Sequence, residues 1–157
     1  MGFDFDVCSL SETFYKDYPQ SQFPEILRKS DRPYTCLLVD CHCEYLICIP
    51  FRSSIKHNEA FHFSGTNRSK KSRSGLDYKK VILIKNEKYI NSANAVVDAD
   101  EYTMMVKNID KIVREINQYI GTYISHVKKS QILHEREYNR KYGYSTLPYF
   151  HDILEIA

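Results

Sequence analysis

The period of apolar and polar positions changes along the chain, and each change marks an element. Phe3, Phe5 and Val7 alternate with Asp4, Asp6 and Cys8, the period of two expected of a half-buried strand. Ser9 or Ser11 caps a short helix with Phe14, Tyr15 and Tyr18 as its apolar face and Pro19 to stop it. After a polar segment from Ser21 to Asp31 comes YTCLLVDCHCEYLICIPF from Tyr34, apolar on both sides of a turn around Asp40 to Glu44. This predicts a central hairpin covered on both faces. Val81 to Ile84 predict a further strand, and Tyr89-Ile90 another short one.

Asp98 with Glu101 three residues on has the spacing of a capping box. Behind it Met105, Ile109, Ile112, Ile116, Tyr119, Ile120, Tyr123 and Val127 recur at helical spacing and predict one long helix, with Gly121 as a kink point. Gly143 ends its continuation or a following helix, and Ser145 caps a last short one through Tyr149, Ile153 and Leu154. Strands first and helices after, with no βαβ alternation, give one α+β domain over residues 1–157: a mostly antiparallel sheet packed on helices.

Composition adjusts this picture modestly. A chain of 157 residues buries roughly 70% of its unfolded surface, enough for a real core. Lys and Arg total 22 against 20 acids, so the net charge of +2 does not mark a nucleic-acid binder and the placement of charge has to decide. Thirteen Tyr and eight Phe serve stacking or core filling equally well. The N-terminus reads as neither a secretory signal nor a membrane span, and no apolar run approaches the ~20 residues a bilayer requires. Five cysteines, an odd number without disulfide-scaffold spacing, fit a reducing cytoplasm. Cys41-His42-Cys43 lacks the second pair a structural zinc site needs. Neither a dinucleotide-binding nor a P-loop glycine motif is present, and no metal or cofactor is expected.

The chemistry gathers at the end of the second hairpin strand, where Arg52-Ser53-Ser54-Ile55-Lys56-His57 sets two cations, two hydroxyls and an imidazole together. No G-x-S-x-G surrounds the serines, and the acids are scattered, so nucleophilic and metal-assisted hydrolysis fit poorly. Phosphodiester chemistry uses these residues better. Arg52 and Lys56 neutralise a phosphate, a serine hydroxyl orients it, and His57 moves a proton near neutral pH. RNA supplies its own nucleophile, the 2′-hydroxyl, so neither a metal nor an enzyme nucleophile is required. The loop from Thr66 to Gly75, with Arg68, Lys70, Lys71 and Arg73, is expected to be flexible and to carry the RNA backbone, with Tyr34, Tyr78 and Phe61 as stacking surfaces.

In Arg32-Pro33-Tyr34, IPFRSSIKHN from Ile49, SGLDYKKVILI from Ser74 and the helix that follows, the chain resembles the endoribonuclease toxins of type III toxin–antitoxin systems (ToxN, AbiQ, CptN), most closely the CptN branch. The resemblance implies a twisted antiparallel sheet like the small barrel of MazF and Kid, flanked by helices. It also implies metal-independent RNA cleavage in the cytoplasm, serving phage defence or growth arrest. The implied partner is a small repeat-derived pseudoknot RNA, excised by the toxin and then inhibiting it, in a closed protein–RNA assembly. Ser53 matches the family's active-site serine, and Arg52 stands where some members have threonine, a role Ser54 could inherit. Ile55 stands where some members have lysine, so the lysine is assigned to Lys56. Tyr34 takes the place of a Tyr or Lys near the phosphate, with Arg32 beside it. A second basic surface is expected from Lys79, Lys80, Lys85, Lys88, Lys128 and Lys129. The alternatives are a non-catalytic RNA-binding module and a MazF-like toxin with a protein antitoxin.

Overall fold

The computed structural model describes residues 5–28, 32–38, 45–91 and 95–156. Phe3, Asp4, the turn around Asp40–Glu44 and the Cys41–Cys43 motif lie outside them. Among the described residues seven strands are formed, β1 (Phe5–Leu10), β2 (Tyr34–Leu38), β3 (Leu46–Arg52), β4 (Ala60–His62), β5 (Gly75–Asp77), β6 (Ile82–Ile84) and β7 (Ile90–Asn91). The helices are α1 (Glu12–Asp17), α2 (Ala99–Lys107), α3 (Ile109–Val127), α4 (Glu135–Tyr142) and α5 (His151–Leu154).

Every strand pairing is antiparallel, in the order β4-β5-β3-β2-β1-β7, with β6 also on β3. The α+β class and the antiparallel sheet are as expected, but among the described residues the sheet stays open and does not close into a barrel. β3 is its hub. Along one edge it pairs with β2 (Cys36↔Cys48), and along the other Leu46 to Cys48 pair with β6 before Phe51 and Arg52 pair with β5. A strand with neighbours on both edges and cover on both faces must be apolar throughout, and Ile47 to Phe51 are buried without interruption. Arg52 is thus the first polar side chain the strand offers.

Ser11, not Ser9, caps α1, accepting from the Phe14 N–H. The predicted long helix is two, α2 and α3, divided at Asn108, where the amide side chain and the backbone N–H both bond to the Met104 carbonyl. A side chain that competes for main-chain acceptors favours such breaks. Gly121 lies inside α3 without ending it. Ile112, Ile116, Tyr119, Ile120 and Tyr123 form the buried stripe of α3, and Tyr142 of α4 packs on Tyr119 with ring centroids 4.7 Å apart. The capping box does not form. Asp98 makes no side-chain cap bond, and Glu101 turns inward, its carboxylate taken up by the loop described next. Gly143 does end α4, and Ser145 Oγ accepts from the Leu147 N–H at the start of the last turns. No helix among the described residues is long and apolar enough to cross a membrane.

Candidate functional site

At the end of β3 the chain reverses through Ser53 and Ser54. Ser54 is held at φ 56°, a left-handed conformation uncommon outside glycine and costly to keep. What holds it is Ile55, fully buried, with its N–H donating to the Arg73 carbonyl at 2.8 Å. The chain dips to anchor Ile55 and returns to the surface at Lys56, which is exposed while Ser53 is half-buried. The solvent-facing lysine of this turn is therefore Lys56, and Ile55 is its hydrophobic foot.

Beneath the turn lies Asp77, the last residue of β5, with no exposed surface. Its Oδ2 is 2.8 Å from Arg52 Nη1, and its Oδ1 is 2.9 Å from His57 Nε2 while also accepting from the Lys79 N–H at 3.0 Å. Burial alone would raise the Asp77 carboxyl, but His57 and Arg52 outweigh it and hold it below the ordinary carboxylate value. His57 Nδ1 accepts from the Glu59 N–H at 3.0 Å, which fixes the remaining ring proton on Nε2. That N–H is buried against Asp77 but points off the line to its oxygen, so proximity holds the pair more than a straight hydrogen bond. The sequence-based expectation makes His57 a proton carrier, and the structure places its ring between the Glu59 N–H and Asp77.

Cations gather around this pair. Arg32 Nη1 donates to the Phe51 carbonyl at 3.0 Å, and burial lowers the Arg32 pKa, with the charges of Arg52 and Arg68 acting in the same direction. Arg73 Nη2 lies 3.2 Å from both Asn58 Oδ1 and His62 Nε2, and His62 Nε2 lies 3.0 Å from the His57 carbonyl. Burial pushes the His62 pKa down, and the Arg73 charge adds to the effect.

The basic loop is not the flexible strand of cations expected from its composition. Thr66 and Ser69 exchange hydrogen bonds, Lys70 and Ser72 N–H groups close turns on Thr66 and Arg68, and the Asn67 N–H donates to Asp100 of α2 at 2.8 Å. A second buried carboxylate secures it: Glu101, fully buried, accepts from Ser74 Oγ at 2.8 Å and pairs with Arg68 at 3.4 Å. Lys70, Lys71 and Arg73 stay exposed on the wound loop.

Other expected residues stand elsewhere. Tyr34 is fully buried, with its hydroxyl lacking a partner among the described residues, and offers no ring face to RNA. Tyr78 and Phe61 are buried too, the Tyr78 hydroxyl donating to Glu115 Oε1 at 2.8 Å. Lys79 and Lys80 leave the basic surface: Lys79 Nζ bonds the Arg140 and Gly143 carbonyls at 2.8 and 3.2 Å, and Lys80 Nζ bonds Glu25 Oε1 and the Tyr144 carbonyl, each at 2.8 Å. They are buried because the sequence immediately following β5 is a 3₁₀ turn packed under α4, a proximity that composition does not reveal. Lys85, Lys88, Lys128 and Lys129 remain exposed. Asp77 and Glu101 were missed as site residues. The one local signal was an acid closing the apolar Gly75-Leu76-Asp77 strand.

Comparison with family models, with curated proteins and with solved structures finds no match to this chain.

Proposed function

We propose that the protein is a metal-independent endoribonuclease that directs an RNA 2′-hydroxyl onto the adjacent phosphorus, leaving 2′,3′-cyclic phosphate and 5′-hydroxyl ends. The observation that carries this reading is the buried Asp77 carboxylate holding Arg52 and His57 at the end of β3, within electrostatic reach of Arg32 and Arg68. Such an arrangement has little use in a plain surface turn. It suits a reaction whose transition state gathers negative charge on phosphate oxygens, because donors fixed beforehand need not reorganise when that charge develops.

In this reading Arg52 and Arg32 take the phosphate charge, with Arg52 aimed by Asp77. Ser53, with Ser54 beside it, hydrogen-bonds a non-bridging oxygen. As the O2′–P bond forms and the P–O5′ bond breaks, the 2′-hydroxyl proton passes to solvent water and Lys56, the exposed ammonium, donates the proton that the departing 5′-oxygen needs. His57 positions Asp77 and the turn, and Arg68, Lys70, Lys71 and Arg73 carry the flanking strand. The resemblance to ToxN, AbiQ and CptN toxins extends the proposal to a repeat-derived RNA as the inhibiting partner.

Incubation of the purified protein with RNA in chelator, followed by mapping of the ends, tests the reading. Cyclic-phosphate ends should persist in chelator, and Arg52→Ala or Lys56→Ala should lower the rate about 10²–10³-fold, the usual cost of one transition-state donor. Absence of cleavage, or its loss on chelation, overturns it. The engaged ring nitrogens of His57 favour a second reading, an RNA-binding module without catalysis, which predicts bound RNA and no new ends.

A further inference from the structure

Beside the Asp77 pair the fold leaves a cleft of ≈ 200 Å³ whose lining includes Asn58, Glu59, Tyr78, Glu115, Gln118 and Lys141. Two of its lining residues are chain neighbours of the site, since Asn58 follows His57 and Tyr78 follows Asp77. The same Glu59 N–H that fixes the His57 ring belongs to its wall. Pockets for drug-sized molecules run to roughly 300–1,000 Å³. This one suits a single planar base and not a whole nucleotide.

Its polar groups are unusual for a nucleic-acid site because two of them are carboxylates. Glu59 Oε1 lies 3.3 Å from Lys141 Nζ, with both side chains largely covered, so an acceptor and a donor stand side by side. On the α3 wall Glu115 Oε1 already receives the Tyr78 hydroxyl, leaving its second oxygen as an acceptor. A carboxylate accepts and an ammonium only donates. Among RNA bases only guanine offers two adjacent N–H donors, N1 and N2, next to an acceptor, O6. Adenine, cytosine and uracil each bring ring or carbonyl lone pairs against the carboxylate.

We propose that this cleft is a guanine-reading subsite for the base beside the scissile phosphate, with Glu59 accepting from N1–H and N2–H and Lys141 donating to O6. Glu115 supplies a further acceptor at the amino group, and the amides of Asn58 and Gln118 line the mouth. Splayed single-stranded bases are read on this Watson–Crick edge. The assignment of the base to the reacting nucleotide rests on the ribonuclease reading, whereas the recognition of guanine does not.

The test pairs a binding measurement with a cleavage map. By calorimetric titration 3′-GMP should bind about tenfold or more tightly than 3′-AMP, 3′-CMP or 3′-UMP, the discrimination a good bidentate base contact supplies. Ends mapped on a random-sequence RNA should cluster at G. Glu59→Gln and, independently, Lys141→Met should erase both preferences while circular dichroism and thermal melting report an intact fold. Cleavage without preference for G, together with equal binding of the four nucleotides, overturns the subsite and leaves the ribonuclease reading standing. Selective 3′-GMP binding with no cleavage supports the subsite and overturns the ribonuclease reading.

Discussion

Two carboxylates without exposed surface, Asp77 and Glu101, sit under the basic residues, and their environments push them in opposite directions. Asp77 is held below its ordinary value because His57 and Arg52 outweigh burial. Glu101 is raised, since burial outweighs Ser74 and Arg68. The charge of Asp77 is therefore a net asset to the folded state and that of Glu101 is not. Asp77→Asn should lower stability by about 3 kcal/mol, the low end for a broken buried ion pair because Arg52 is a third exposed, and Glu101→Gln should cost clearly less; urea unfolding of the two variants at pH 7 compares them. The pH dependence has a matching sign. The Asp77 contribution is whole above its unfolded pKa of 3.8 and is lost as pH falls through the lower folded value. His62, lowered from 6.5, resists protonation when folded, so stability also declines as pH drops below 6.5. Urea midpoints measured against pH should show both declines, with His62→Gln removing the upper and Asp77→Asn the lower. Of these residues the sequence exposed Arg52, Ser53, Lys56 and His57 by crowding them into one turn. Asp77 and Glu101 escaped because their partners lie 25 and 33 residues away along the chain.

At the scale of elements, the site depends on β5 lying close against β4. Gly75 allows that approach: a Cβ there would stand 2.1 Å from the Phe61 carbonyl oxygen and 3.0 Å from His62 Cα, both main-chain atoms that have no rotamer to yield. Gly75→Ala should therefore force the strands apart, costing about 1–3 kcal/mol or more. It should also depress cleavage by shifting Asp77 two residues on, which thermal melting and end mapping would register. The hairpin strands and the α3 stripe were legible because long apolar runs and helical spacing are strong local signals. β4 was not, since Ala60-Phe61-His62 gives three residues of pattern, too few to outweigh their neighbours. The division at Asn108 was hidden for another reason: Met105, Ile109 and Ile112 keep apolar spacing across it, and only the competing amide betrays the break.

For the whole molecule, a net charge of +2 conceals an uneven distribution in which buried acids fix the orientation of basic side chains instead of cancelling them at a distance. On the proposed ribonuclease reading, RNA binding should be steeply salt-dependent, with log affinity falling linearly in log salt. Replacing Lys70 or Lys71 by Gln should reduce that slope by about 0.7 each, the value for one single-strand phosphate contact. Filter binding across a salt series would show it, and an unchanged slope would remove these lysines from the RNA path. The α+β class followed from element order alone, whereas the sheet order and the open edge rest on long-range pairings for which no local pattern exists.

The grip of Lys79 on the Arg140 carbonyl, 61 residues further along the chain, also has a meaning in time. Domains begin to fold while synthesis is under way. A nascent chain that has exposed β3, β5 and Asp77 still lacks the segment that receives the ammonium groups of Lys79 and Lys80 and covers the turn beneath them. The surroundings of Asp77 are thus born unfinished, and they are completed only when that later stretch has emerged and latched.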